Sequence, residues 1–182
     1  MADACRSHGI DSSEVAIAAA TKPFGYAPFY PSLGIGGHCI PVNPYYLFSN
    51  NDFPLLRYAT EVAKERPSRL ADKVLENSSI AVEDVRVLVV GVAFKRGQSN
   101  ISHSPGVAFS RQLLSRKVGK VAYCDPLVAQ EHVPDVAQYC DWSKEALERD
   151  FDIIVVGLKQ EGLDFSVLEG LGGCDVVWHC LK

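Results

Sequence analysis

The sequence predicts an α/β protein in which a helical segment, residues 1–83, precedes a parallel sheet built from residues 84–182. Three observations carry this. Val85 to Val90 is an aliphatic, β-branched run fit for a strand buried on both faces. Val121 to Cys124 and Phe151 to Val156 repeat that character at intervals long enough for a helical crossover, and Ser104-Pro105 marks a helix start between the first two runs. Before Asp84 the apolar residues recur at helical spacing and no strand pattern is found.

Taken in order, Ala2 to His8 reads as a helix stopped by Gly9. Asp11-Ser12-Ser13 supplies an N-cap for an alanine-rich helix over Glu14 to Thr21. Lys22 to Pro41 is rich in proline, glycine and aromatic residues and predicts a long irregular loop, a kind of segment that is usually functional. Asn43-Pro44 reads as N-cap and first helical residue. Pro54 to Asn77 is helical, with Leu55, Leu56, Ala59, Val62, Ala63, Leu70, Val74 and Leu75 on one face, and Pro67 is expected to kink or divide it. That apolar face suits either packing on its own domain or contact with another one. In the second half, a helix from Ser104-Pro105 to about Lys117 ends at Gly119. Further helices are expected near Lys144 to Glu148 and Asp164 to Leu171, with a last strand at Val176 to Cys180. Such alternation implies right-handed β-α-β units with helices on both faces.

Composition narrows the function classes. The 182 residues are 47% hydrophobic and 22% charged, ordinary values for a globular chain. A net charge of −4 disfavours non-specific nucleic-acid binding. Six cysteines and five histidines show neither a CxxC pair nor metal-ligand spacing, so no metal site is expected and reduced thiols in the cytoplasm are the simplest account. No secretory or membrane-spanning pattern is visible, and no membrane partner is expected.

The chemistry concentrates in Gly34-Ile35-Gly36-Gly37-His38-Cys39-Ile40-Pro41-Val42-Asn43-Pro44. Glycines let a backbone come close to a neighbour, and a cysteine placed behind them is either a small buried hydrophobe or a thiol presented to a ligand. Two further stretches stand out: Gly91-Val92-Ala93-Phe94-Lys95 followed by Ser104-Pro105, and Tyr123-Cys124-Asp125-Pro126. Together they resemble the nucleotide-sugar 6-dehydrogenases of the UDP-glucose/GDP-mannose dehydrogenase family. The first is similar to its active-site loop, in wording nearest the UDP-N-acetylhexosamine branch; the second resembles the opening of its C-terminal UDP-binding domain, and the third the Y-D-P turn after that domain's second strand, with Cys124 inserted.

The resemblance implies a helical central, dimerisation segment over 1–83 and a Rossmann-like UDP-binding domain over 84–182. It implies polysaccharide biosynthesis as the setting, a UDP-sugar as substrate, NAD as cofactor, and a homo-oligomer or association with a full-length relative. In such enzymes a C6 alcohol is oxidised twice to a carboxylate through a cysteine thiohemiacetal and thioester. Cys39 then corresponds to the nucleophile, and Gly36 and Gly37 let the loop approach the sugar. Phe29 and Tyr30 either line the substrate pocket or pack beside the prolines. Phe94 and Lys95 sit where open α/β sheets bind ligands, Lys95 as a phosphate partner or a solvated loop lysine.

Several residues depart from the family's pattern. Asn43 stands where the family carries a catalytic aspartate, and an amide cannot ionise. Asn100, Ser102 and His103 replace a D-x-R-E run, and Leu181 stands near the place of an arginine. The chain opens in what resembles the middle of the central helical region. It contains no strand–GxGxxG–helix unit, and the near match Gly34-x-Gly36-Gly37 follows Pro28, Pro31 and Ser32 instead of a strand. The expectation is therefore a truncated or degenerate part of such an enzyme, inactive alone, or a non-catalytic dimerisation or nucleotide-binding module.

Overall fold

A computed structural model describes residues 2–25, 27 and 29–180; Tyr26, Pro28 and Leu181 lie outside the described residues. Helices α1 (Ala2–Ser7) and α2 (Ser12–Ala20) come first. Asp11 caps α2, its carboxylate accepting from the Ser13 N–H at 2.8 Å. No helix or strand is found among the described residues between Ala20 and Asn43, as the proline and glycine content predicts.

Helix α3 (Asn43–Phe48) departs from expectation in its cap. Val42 is the N-cap and Asn43 is the first helical residue, so the asparagine side chain caps nothing. Helix α4 (Pro54–Glu76) runs unbroken through Pro67. Proline removes the hydrogen bond to the carbonyl of residue 63. Within the same turns the Arg69 guanidinium donates to the Val62 carbonyl at 2.9 Å. The ring itself is buried. Pro67, Leu70, Ala71 and Val74 make the buried stripe, at spacings of three, four and seven. The predicted face is therefore buried only in its second half; Leu55 and Leu56 remain exposed.

Five parallel strands form one sheet in the order β3-β2-β1-β4-β5: β1 (Arg86–Val90), β2 (Lys120–Cys124), β3 (Ala137–Gln138), β4 (Ile153–Val156) and β5 (Asp175–Trp178). This bears out the α/β expectation, with β3, a two-residue strand, added to it. Helix α5 (Pro105–Ser115) is capped by Ser104, whose hydroxyl accepts from the Val107 N–H. It turns out through Lys117 at φ +60 rather than through Gly119. Gly119 serves another need, since a Cβ there would lie 2.3 Å from the Glu83 carbonyl oxygen. Helix α6 (Lys144–Asp150) follows, and Phe165–Leu168 is a 3-10 turn where a short helix was expected.

Side chains alternate across the sheet. Val87 and Val89 face a core shared with α4 and α5, while Leu88 and Val90 face Leu147 and Phe151 on the other side. Leu33, from the irregular loop, is 1% exposed and belongs to the first of these cores. A side chain on Gly157 would meet Leu33 Cδ1 at 2.4 Å. Burying such a leucine contributes about 1.5–3 kcal/mol. Leu33 thus pins the loop to the carboxyl end of β4. Strand order reverses between β1 and β4, and open α/β sheets place their ligand sites at such a point. The cysteine loop is laid over it.

Candidate active-site loop and nucleotide-facing edge

From Leu33 onward the loop is fastened by close backbone approaches. A Cβ on Gly36 would lie 2.8 Å from Phe94 Cβ and 3.0 Å from Pro105 Cδ. Gly37 has φ +90, a backbone state that side chains disfavour, and a Cβ there would touch the Phe94 ring at 3.0 Å. Its N–H donates to the Ser102 carbonyl at 2.8 Å. Both glycines therefore bring the loop against Phe94 and the 100–105 segment. The space beside them holds Phe94, which the resemblance had reserved for sugar.

Residue 38 adds a side-chain tie. His38 Nε2 lies 2.8 Å from Asn100 Nδ2, and the imidazole meets the Phe94 ring edge-on at 6.4 Å. Cys39 follows at the apex of the turn, where its carbonyl accepts from the N–H groups of Val42 (3.1 Å) and Asn43 (2.8 Å) and leads into α3. The Cys39 thiol is exposed, as is Cys140. Burial pushes the Cys124 thiol up to about 12 and also raises those of Cys180 and Cys174. A thiolate is the reactive form, so these three are poor nucleophiles and Cys39 is the accessible one on this edge.

The turn after β1 is held by two buried polar residues to which the sequence reading gave no role. Asp125, 1% exposed, accepts from the N–H groups of Val92 (2.9 Å) and Ala93 (3.0 Å) through Oδ2, and from the Leu127 N–H at 3.0 Å through Oδ1. Gln160, 2% exposed, accepts from the Gly97 N–H at 2.8 Å and donates to the Gln98 carbonyl at 3.0 Å and to Asp125 at 3.3 Å. The Phe94 N–H donates to the Asn100 carbonyl at 3.0 Å and closes the loop. On the loop so formed Lys95 is exposed, and Arg96 pairs with Glu161 at 3.7 Å. Asp125 could have been found from its place at the carboxyl end of β2, ahead of Pro126; nothing in the sequence marks Gln160.

Not every candidate residue joins this assembly. Phe29 and Tyr30 line, with Ala16, Pro31 and Arg66, a cavity of about 240 Å³ whose walls include neither Cys39, Phe94 nor Lys95. Asn43 is exposed at the start of α3. A groove of about 900 Å³ runs between the Cys39 turn, α4 and α5, lined by Ile40, Pro41, Tyr45, Lys64 and Pro105 among others; Cys39 itself is not in its wall. Among the described residues no cluster of three or more His, Cys, Asp or Glu side chains is placed to hold a metal ion, and no helix is long and apolar enough to cross a membrane.

Residues 1–63 match the model of the UDP-glucose/GDP-mannose dehydrogenase family, central domain. Over these residues the chain is similar to that family's central domain. It is 34% identical over 107 residues to a UDP-N-acetyl-D-mannosamine dehydrogenase of Pyrococcus horikoshii, a match covering 56% of this chain and 25% of that protein. It is 30% identical over 156 residues to a UDP-glucose 6-dehydrogenase of Haloferax volcanii, covering 81% of this chain and 35% of that one. Among solved structures, a UDP-glucose dehydrogenase of Pyrobaculum islandicum superposes with a TM-score of 0.77 at 26% identity, over 96% of this chain and 41% of its own. The UDP-D-ManNAc dehydrogenase structure from P. horikoshii gives 0.70 at 25%, over 98% and 46%. The chain thus spans between a quarter and a half of these relatives.

Proposed function

We propose that this chain supplies the thiol loop and the nucleotide-facing edge of a nucleotide-sugar 6-dehydrogenase, with a UDP-sugar, of the N-acetylhexosamine kind, as substrate. The single observation that carries the reading is the docking of the Cys39 turn, through Gly36, Gly37 and His38, directly onto Phe94 and the 100–102 segment. A thiol for the sugar and a strand end for the nucleotide are thereby fixed to each other. In this role the Cys39 thiolate adds to a C6 aldehyde, and the acyl group is later released from sulfur by water. Lys95 faces solvent at the strand end and meets the diphosphate as a point charge.

The residues described do not fit NAD. The turn after β1 lacks the glycine fingerprint, its Val92 and Ala93 amides donate to Asp125, and Ser104 caps α5. The Val92 and Ala93 amides are therefore not open to a pyrophosphate. Oxidation of the thiohemiacetal requires a hydride acceptor held elsewhere. Asn43 cannot replace an ionisable aspartate, and Arg96 is engaged with Glu161. These two observations favour a second reading, a nucleotide-binding module without turnover.

A titration of ¹⁵N-labelled protein with UDP and UDP-N-acetylglucosamine tests the proposal. Saturable shifts of the Phe94–Asn100 and Gly37–Cys39 amides are expected, with a dissociation constant near or above the millimolar range, since two arginine contacts at about 1.5–3 kcal/mol each are replaced. No shift of either segment at tens of millimolar overturns it. Shifts with UDP alone, and no further change at Cys39 with the sugar, favour the second reading.

A further inference from the structure

Asn100 occupies the place where the family pattern carries an acidic residue, and its hydrogen bonds fix more than a loop. Its Oδ1 accepts from the Ser102 backbone N–H at 2.8 Å. A backbone N–H only donates, so the amide orientation is settled and Nδ2 faces His38 Nε2 at 2.8 Å. An amide nitrogen only donates as well. His38 Nε2 must then accept, which a ring nitrogen does only in the neutral imidazole with its proton on Nδ1. One residue earlier, the Gly37 N–H donates to the Ser102 carbonyl at 2.8 Å. Residues 37 and 38 are thus clamped at two points to residues 100 and 102, immediately before the thiol. Phe94 packs against both of them.

We propose that Asn100 is a positioning residue for Cys39, acting through His38 by fixing which ring nitrogen accepts and by keeping the turn seated on the sheet edge. This rests on the reading of Cys39 as the covalent nucleophile. A carboxylate at this place would only accept, and would select the opposite ring tautomer. The nucleotide-side segment and the thiol turn move as one body.

Two measurements on the full chain test this. In wild-type protein, long-range ¹H–¹⁵N spectra of the His38 ring should show Nε2 unprotonated and Nδ1 protonated at neutral pH; a protonated Nε2 overturns the proposal without any variant. Asn100→Ala should lose that exclusive tautomer. It should also raise the iodoacetamide rate at Cys39 by about two- to tenfold, the population change that one ordinary hydrogen bond supports. Cys140, the other exposed thiol, should be unchanged. Unchanged His38 spectra and an unchanged Cys39 rate in a folded Asn100→Ala overturn the proposal. Should UDP-N-acetylglucosamine fail to protect Cys39 in the wild type while the tautomer is as stated, the nucleophile reading fails and the clamp stands.

Discussion

Replacing Asp125 by alanine should cost the chain a large part of its stability. The carboxylate is the acceptor for two buried backbone N–H groups, Val92 at 2.9 Å and Ala93 at 3.0 Å, and for Leu127 at 3.0 Å in a half-buried position. Hydrogen bonds to a charged group contribute about 1.5–3 kcal/mol each, and a buried donor left without an acceptor loses a comparable amount. Counting only the two buried amides gives about 3–6 kcal/mol, against a total of about 5–15 kcal/mol for a typical domain. Gln160 loses a partner as well, and with it the 97–98 segment loosens. In a urea titration followed by circular dichroism, a slope of about 2 kcal/mol/M turns this into a midpoint lowered by about 1.5–3 M. A drop of less than about 0.5 M would mean that water or a shifted backbone replaces the carboxylate, and the account of how this loop is held would be wrong.

Other expectations follow from the same geometry. Gly37→Ala should destabilise by about 1–3 kcal/mol, because it meets φ +90 and the Phe94 ring together; Gly170→Ala, at φ +76 with open space around it, should lose less in the same melt. Native-state alkylation followed by peptide mapping should modify Cys39 and Cys140 first, the half-buried Cys174 and Cys180 more slowly, and Cys124 only as the chain opens; rapid native labelling of Cys124 would contradict its burial. The Arg86 guanidinium hydrogen bonds hold the Asp152 carboxyl below its usual range, burial opposing them and the Arg86 backbone N–H assisting. A depressed carboxyl adds stability above the unfolded value of about 3.9, and that contribution is lost as pH falls below it. Asp152→Asn should therefore cost about 1 kcal/mol near neutrality, a figure kept low because Arg86 is 37% exposed, and the gap between variant and wild type should close below about pH 4.

The sheet was legible because its strands are aliphatic runs that nothing but burial explains, as at Val87–Val90 and Ile153–Val156. The third strand was not, since Ala137 and Gln138 carry no pattern over two residues. Helix interruption at Pro67 is a sound local inference overridden by packing: the ring is buried, and Gly34 sits close enough that an added Cβ would be 3.0 Å from it. Capping by Asn43 failed for a related reason. The Cys39 carbonyl takes the Asn43 N–H, so the turn is already helical one residue earlier. The thiol and its glycines were plain in the sequence. Their pairing was not: Asn100 and Asp125 stood in motif stretches and Leu33 and Gln160 did not, but what each of them touches lies across a long separation in the chain.

Protection of the thiol by substrate bears most directly on the function proposed. Cys39 alkylation should be followed at rising UDP-N-acetylglucosamine, with Cys140 as the internal control and UDP as the sugar-free comparison. Slowing at Cys39 alone, saturating in the millimolar range or above and stronger with the sugar than with UDP, is the predicted result. Equal rates at Cys39 with and without the nucleotide sugar, at concentrations that shift the Phe94–Asn100 amides, would contradict it.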